Sequence, residues 1–216
     1  MRKRSGRIER RVVSGAAIWA AAWGLLAIKP IDRGDWVLEN LLIWLTIAGL
    51  IFTYWRCRLS LGAYGMLGLF LLLHAVGANY SYDVPLVTEW LKQAGFTDLS
   101  RNSYDRVVHF SFGLLCVLPV REALGRWTGM KAGGQSATAC VVILALGAFY
   151  ELIEMWVAFL VAPELGTKFL GSQGDEWDAQ HDMELALYGA LLAVVLRALF
   201  SRMRQRSVDK RPTKGS

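Results

Sequence analysis

Long apolar runs separated by short charged segments dominate the chain from end to end. Six runs have about the 17 to 25 residues that a helix needs to cross the hydrocarbon layer of a membrane. They are Val12 to Ile28, Trp36 to Trp55, Leu59 to Tyr80, Tyr104 to Val120, Ala137 to Ala162 and Met183 to Phe200. The second run begins and ends with tryptophan, whose ring favours the boundary between hydrocarbon and water. The pattern predicts an all-α fold, a polytopic integral membrane helical bundle of about six transmembrane helices.

The first run allows two interpretations, because it follows a basic segment. It can be a secretory signal that is cut near Ala20 to Ala22, or an anchor that stays in the membrane. Apolar residues continue through Leu25, Leu26 and Ile28, which makes the run long enough to cross the bilayer. A retained signal anchor is therefore favoured.

The distribution of Lys and Arg predicts the orientation of the bundle. Most of the 24 basic residues fall at the two ends and in the loops after the second and fourth runs, which lie on one side if six helices cross. Because cytoplasmic loops are rich in Lys and Arg, both termini are predicted to be cytoplasmic, in a bacterial inner membrane. The predicted domains are a basic cytoplasmic N-terminus (1–11), the six-helix transmembrane domain (12–200) and a basic, disordered cytoplasmic tail (201–216).

Composition supports a membrane protein and excludes several other classes. Hydrophobic residues make up 54% of the chain and its mean hydropathy is +0.33, while charged residues make up 19%, against about 25% in soluble domains. These values exclude an ordinary soluble enzyme and a disordered chain. The net charge of +6 comes with no nucleic-acid motif, so the expected partner is the lipid bilayer and not nucleic acid. The oligomeric state is not predicted.

Two polar pairs stand out within the predicted spans. Asp105 and His109 are four residues apart, so they lie on one helix face at the outer end of their span. Either the carboxylate orients an imidazole that acts as base, acid or ligand, or the pair is a local interfacial contact. Glu151 and Glu154 lie near the middle of the membrane, where a carboxylate is costly unless it is protonated, paired, hydrated or metal-bound. All four are predicted as catalytic residues; the alternative for the two glutamates is a structural pair that locks neighbouring helices.

Further polar residues are expected on the same outer side. His74, near the outer end of the third run, is either a satisfied core histidine or a residue that binds a proton or ligand. Asp175 follows a glycine and is predicted to cap the last helix, on which Asp178 and Asp182 share a face. These acids either bind a divalent cation or form a solvated acidic segment. The predicted pocket or ligand-binding residues are His74, Tyr104, Asp175, Asp178 and Asp182. The candidate ligands for a divalent metal cofactor are His109, Glu151, Glu154, Asp178 and Asp182.

Four motifs in this order resemble the bacterial YjdF-like inner-membrane family. They are GANYSYDVP at 77–85, YDRVVHF at 104–110, ELIE at 151–154 and GDEWDAQHDM at 174–183. The resemblance covers most of the chain after Trp36, and it implies a multi-helix bacterial inner-membrane protein without implying a particular reaction. More distantly, the order Asp-x-x-x-His, membrane Glu and Asp-rich entry to the last helix is similar to VanZ-like membrane proteins. That likeness implies a link to the cell envelope and to glycopeptide-antibiotic tolerance.

Three functions are compatible with this pattern. The first is a membrane-embedded hydrolase or transferase that acts from the outer face on a lipid-linked or cell-envelope substrate, with His109 as base and Asp105 as its orienting partner. The second is a noncatalytic envelope or membrane subunit whose polar contacts join helices. The third is a proton-coupled transporter that uses the same glutamates.

Overall fold

The computed structural model describes residues 2–95, 103–161, 175 and 177–209. Within these residues the chain forms seven α-helices and no strand. In chain order the helices are α1 (Arg2–Leu26), α2 (Arg33–Thr53), α3 (Leu61–Tyr80), α4 (Pro85–Gln93), α5 (Ser103–Thr128), α6 (Ala132–Val161) and α7 (Asp178–Asp209). The predicted fold class, an all-helical polytopic membrane bundle, is confirmed.

Five of the described helices are long and apolar enough to cross a membrane, namely α2, α3, α5, α6 and α7. α1 is not among them, because its uncharged part runs only from Val12 to Leu26, which is shorter than the roughly 20 residues of a typical span. α1 nevertheless packs along α3: the Trp19 indole N–H donates to the Gly68 carbonyl at 2.9 Å, and the Asn79 amide donates to the Leu26 carbonyl at 2.5 Å. The sixth span and the orientation of the termini stay predictions.

Local sequence explains where several helices begin. The Asp32 carboxylate accepts the N–H of Gly34 at 2.9 Å and so caps α2, and the Ser60 hydroxyl accepts the N–H of Ala63 at 3.2 Å and so caps α3. Pro85 is the first residue of α4, where its missing N–H has no helical partner to lose. The short helix α4 was not predicted, because nine residues are too few to give a membrane signal.

The helices extend beyond the predicted apolar runs. The fourth run ends at Val120, whereas α5 continues to Thr128; the sixth begins at Met183 and ends at Phe200, whereas α7 covers Asp178–Asp209. Hydropathy marks only the part of a helix that lies in hydrocarbon, and Arg, Glu and Lys are good helix formers that carry the backbone bonds into water. Residues 201–209 of the predicted tail are thus helical, and 210–216 lie outside the described residues.

The closest helix pair is α5 with α7. A Cβ added to Gly113 would clash with the backbone carbonyl of Ala186, and one added to Gly189 would clash with the carbonyl of Phe110. Small residues at these positions let the two backbones approach each other, which is how membrane helices gain packing energy without a hydrophobic driving force. This contact fixes the distance between the polar residues that α5 and α7 carry near their N-termini.

Candidate functional site

The fully buried polar side chains of the described residues lie in one layer of the bundle, on the side of α4. They occur near the beginnings of α2, α5 and α7 and near the end of α3: Glu39, Asn40, His74, Asn79, Ser103, His109, Asp178 and Asp182. Successive spans run in opposite directions, so these helix ends meet on the same side of the membrane. We call this set of ends the α4-side layer.

His109 lies between carboxylates from two helices. Its Nε2 is 3.6 Å from Asp105 Oδ1, one turn earlier on α5, and 3.5 Å from Glu151 Oε1 on α6. Both separations are within ion-pair range but longer than the 2.7 to 3.2 Å of a typical hydrogen bond. The imidazole is 6% exposed, so water does not screen these contacts as it would at the surface. The structure thus brings three of the four predicted catalytic residues together.

Asp182 completes this group from α7. Metal-ligating atoms of Asp105, His109 and Asp182 all lie within 4.8 Å of one another. Asp182 is 2% exposed, and among the described residues neither its Oδ1 nor the buried Oε1 of Glu151 has a hydrogen-bond partner. Buried polar atoms are normally paired, so two unpaired carboxylate oxygens beside one histidine mark an unusual place in the fold. We call Asp105, His109, Glu151 and Asp182 the His109 centre.

Glu154 lies one turn further along α6 and is partly buried. Among the described residues, no hydrogen bond or ion pair joins it to His109. Of the two glutamates, Glu151 is therefore the one that faces the imidazole.

A second polar network lies beside the His109 centre, and the sequence analysis did not predict it. The Tyr150 hydroxyl donates to Glu39 Oε2 at 2.9 Å, and the Tyr82 hydroxyl lies 3.3 Å from the same oxygen and 2.7 Å from His74 Nδ1. His74 Nε2 is 2.9 Å from the Glu39 carbonyl oxygen. Both nitrogens of His74 have partners, which matches the interpretation of a satisfied core histidine. We call these four residues the Glu39 network.

Tyr150 joins the two groups. Its ring centroid is 6.3 Å from that of His74 and 6.4 Å from that of His109. Glu39 had one sequence signal that could have found it, namely an acidic side chain three residues inside an apolar run that begins at Trp36. Tyr150 carried no signal beyond its position next to Glu151, because an aromatic residue in an apolar run is most often a packing residue.

The backbone after α3 explains how Tyr82 reaches His74. Ser81 and Tyr82 have φ angles of 48° and 56°, a left-handed conformation that turns the chain back. The Tyr82 ring then packs on Gly77, where a Cβ would lie only 2.7 Å from the ring. Burial raises the pKa of Tyr82 well above its ordinary value, and the carboxylates of Glu39, Asp105 and Glu154 raise it further. Tyr82 is therefore a neutral hydrogen-bond donor at physiological pH.

Arg106 ties the beginning of α5 to the beginning of α7. Its Nη2 donates to Asp175 Oδ2 at 2.7 Å and to Asp178 Oδ1 at 3.1 Å. Asp175 also accepts the Trp177 N–H at 3.0 Å and lies 2.9 Å from His181 Nδ1. The Trp177 N–H, followed by His181 and Arg106, lowers the pKa of Asp175 to about 2. Asp175 thus accepts a backbone N–H just ahead of α7, but it lies three residues before the first helical residue, Asp178, and so not at the predicted N-cap position. Asp178 pairs with Arg106.

Tyr104, predicted as a pocket residue, is buried and donates its hydroxyl hydrogen to the Leu73 carbonyl at 2.9 Å. Its ring centroid is 6.2 Å from that of Tyr82, so it supports the Glu39 network from the side. The predicted site residues thus divide into three neighbouring groups: the His109 centre, the Glu39 network with Tyr104, and the Arg106 contacts with Asp175 and Asp178.

Comparison with known proteins gives the family. The family described as "Predicted membrane protein (DUF2238)" matches residues 12–203. The chain belongs to the DUF2238 family. This chain is also similar to the inner membrane protein YjdF of Escherichia coli (strain K12), with 40% identity over 180 residues, which are 80% of this chain and 82% of that protein. No solved structure matches.

Membership in the DUF2238 family confirms the resemblance that the four motifs indicated. It also confirms that this chain is a membrane protein, in agreement with its five apolar helices. Family membership specifies no reaction, and the polar side chains that could carry one lie in the α4-side layer.

Proposed function

We propose that this chain is a membrane-embedded hydrolase or transferase of the bacterial inner membrane that acts on a lipid-linked or cell-envelope substrate from the outer face. The observation that carries the proposal is the His109 centre. An imidazole within 3.6 Å of two carboxylates, with unpaired carboxylate oxygens beside it, is a set of groups that can accept and return a proton.

The proposed reaction is the cleavage of an ester or phosphoester bond. A water molecule, or a hydroxyl group of the acceptor in a transfer, gives its proton to the His109–Glu151 pair while its oxygen bonds to the acyl carbon or phosphorus. The bond from that atom to the leaving oxygen then breaks, and the proton returns to the leaving oxygen. Asp105 orients the imidazole and stabilises its charged form.

The location of the centre suits a substrate with a lipid tail. Glu151 lies on α6, whose outer surface carries large apolar side chains such as Leu152 and Trp156. The centre is buried within the bundle, while Arg106 and Asp175 lie closer to water at the helix ends. A polar headgroup can thus reach the centre from the α4 side while its tail stays in the bilayer. The positive-inside distribution of Lys and Arg supports an exterior location for this side.

Two other functions fit the observations less well. A proton-coupled transporter needs polar groups that continue across the membrane, but the buried polar residues of the described chain all lie in the α4-side layer. Inward of Glu151, α6 offers Gly147, Leu144 and Cys140. A noncatalytic subunit would use its polar groups as paired contacts between helices, which describes the Glu39 network but not the unpaired oxygens of Glu151 and Asp182.

The proposal is tested by exposing the purified full-length chain, in bilayer nanodiscs, to a total lipid extract of a bacterial envelope. The lipids and released headgroups are then compared by mass spectrometry. We expect the wild-type protein to deplete one lipid class and to release a matching product, and Glu151→Gln and His109→Asn to abolish this conversion.

Glu184→Gln is the matched control, since Glu184 is exposed on α7 and contacts Tyr188 rather than the centre. It should convert lipid like the wild type. All variants are checked for monodispersity and thermal unfolding. Identical lipid profiles with wild-type protein, Glu151→Gln and empty nanodiscs would rule the proposed activity out for envelope lipids.

A further inference from the structure

Three side chains of the His109 centre carry atoms that can bind a metal ion and that lie close together. We infer that Asp105, His109 and Asp182 bind one divalent metal ion of the zinc or manganese class. The ligand atoms of these residues come from two helices and lie within 4.8 Å of one another. The inference deepens the proposed function, on which it rests for its role, but its test is a binding measurement that does not depend on activity.

The independent observation is the state of Asp182. Its side chain is almost completely buried, and Oδ1 has no hydrogen-bond partner within the part of the chain that the structure describes. A buried carboxylate without a partner is costly, and the cost disappears when a cation occupies the position next to it. The nearest guanidinium, that of Arg106, is engaged by Asp175 and Asp178. Asp182 is thus a buried ligand atom that points into a group of other ligand atoms.

The spacing suits one ion after small side-chain adjustments. Ligands bound at about 2.0 to 2.2 Å around a tetrahedral ion lie roughly 3 to 4 Å apart. Asp105 Oδ1 and His109 Nε2 are 3.6 Å apart, within that range. The close contact of α5 with α7 at Gly113 and Gly189 holds Asp182 near this pair. Because the ligand atoms already lie within 4.8 Å of one another, small rotations of the side chains would bring them to the spacing of ligands around one ion.

Glu151 takes a different place from the three ligands. Its Oε1 lies 3.5 Å from His109 Nε2 and has no hydrogen-bond partner. When the ion is bound, His109 and Asp105 hold it instead of acting as base and orienting partner, and Glu151 alone accepts the proton of a water or substrate hydroxyl. The Glu39 network, by contrast, has its hydrogen bonds satisfied and contributes no ligand.

The donor atoms indicate which ions to expect. One imidazole nitrogen with carboxylate oxygens suits zinc and manganese, whereas calcium and magnesium favour oxygen alone. The set also differs from the sequence prediction, which included Glu151, Glu154 and Asp178 and left out Asp105. Asp178 lies 3.1 Å from the Arg106 guanidinium and is not in the group of ligand atoms that lie within 4.8 Å of one another.

The test is equilibrium dialysis of the full-length protein in detergent. The protein is first stripped with a chelator and then dialysed against Zn²⁺ or Mn²⁺, and bound metal is measured by mass spectrometry. We expect about one ion per chain in the wild type. The affinity should be at least roughly tenfold weaker in Asp182→Asn and in His109→Asn, because even the substitution of a residue that only orients a ligand costs this much. Glu184→Gln should bind the ion like the wild type. Metal should raise the melting temperature of the wild type but not of Asp182→Asn.

Folding is controlled within the same experiment. Asp182→Asn has the shape of the wild-type side chain and removes a buried charge, so the metal-free variant should melt no lower than the metal-free wild type. Equal metal content in the wild type and both variants would overturn the inference, as would absence of metal from the wild type. A variant that melts lower without metal would mean that Asp182 has a structural partner, and it would overturn the inference as well.

The two proposals fail separately. Metal binding that depends on Asp182, without conversion of any lipid, would support the metal site and contradict the proposed activity. Lipid conversion that depends on Glu151, with no metal bound and no effect of a chelator, would support the proposed activity and contradict the metal site.

Discussion

Gly113 of α5 faces the backbone carbonyl of Ala186 of α7 so closely that no side-chain atom fits between them. The same helices carry the two sides of the His109 centre, with Asp105 and His109 on α5 and Asp182 on α7. These side chains lie four to eight residues before the backbone contact in their helices, so the contact sets how far apart they are. The close packing of α5 against α7 thus brings the polar side chains of the two helices together.

Replacing Gly113 with alanine should destabilise the protein by about 1 to 3 kcal/mol or more, because the new Cβ would press on a backbone carbonyl that cannot rotate away. Thermal or denaturant unfolding in detergent measures the effect. Gly49→Ala is the control, since its Cβ would meet no atom within 4 Å. Alanine should stabilise that helix by roughly 0.5 to 1 kcal/mol. Equal stability of the two variants would contradict the tight α5–α7 contact.

Tyr82→Phe should lower the free energy of unfolding by about 1 to 3 kcal/mol, because it removes the only hydroxyl that bonds His74 Nδ1 in the described residues and leaves that buried nitrogen unpaired. Tyr80→Phe, two residues away and exposed, is the matched control and should leave stability unchanged. The comparison is made by thermal unfolding at neutral pH, where Tyr82 is un-ionised. Equal unfolding of both variants would show that His74 has another partner.

The stabilisation from Asp175 should depend on pH in the acid range. Its folded pKa of about 2 lies below the roughly 3.9 of an unfolded aspartate, so its contribution is present in full above the unfolded pKa and is lost as the pH falls towards 2. Asp175→Asn keeps an acceptor for the Trp177 N–H but loses the charge that faces Arg106 and His181. The variant should therefore melt below the wild type at pH 6, and the difference should shrink between pH 4 and pH 2.5.

Glu89→Gln on α4 serves as the control for that titration, because Glu89 is exposed. Its melting temperature should follow the wild type over the whole range. A difference between Asp175→Asn and the wild type that stays constant from pH 6 to pH 2.5 would mean that the Asp175 charge does not contribute.

Reporter fusions test the predicted orientation with both termini in the cytoplasm. Alkaline phosphatase fused after Asp83 should be active, because the loop between α3 and α4 is predicted to be outside, whereas a fusion after Arg58 should be inactive. A green fluorescent protein at the C-terminus should fluoresce. Phosphatase activity at the C-terminus, or none after Asp83, would reverse the topology and place the His109 centre on the inner side.

The sequence alone determined the class of protein and much of the fold. Apolar runs of about 20 residues predict membrane helices because the bilayer has a fixed thickness and backbone groups within it must bond internally. The runs from Trp36 onward correspond to the five apolar helices, and the four motifs correctly indicated the family. The sequence also predicted that Asp105 and His109 lie together, because residues four apart on a helix are neighbours.

Only the tertiary structure decided which polar groups from different helices meet. Glu39 and Tyr150 are far apart in the chain, and their hydrogen bond depends on how α2 and α6 are rotated about their axes. The choice between Asp178 and Asp182 beside His109 depends on Arg106, which engages the first and leaves Oδ1 of the second unpaired. Hydropathy fixes the depth of a residue in the membrane, whereas its rotation and neighbours follow from close contacts such as Gly113 with Ala186, and no local pattern encodes those.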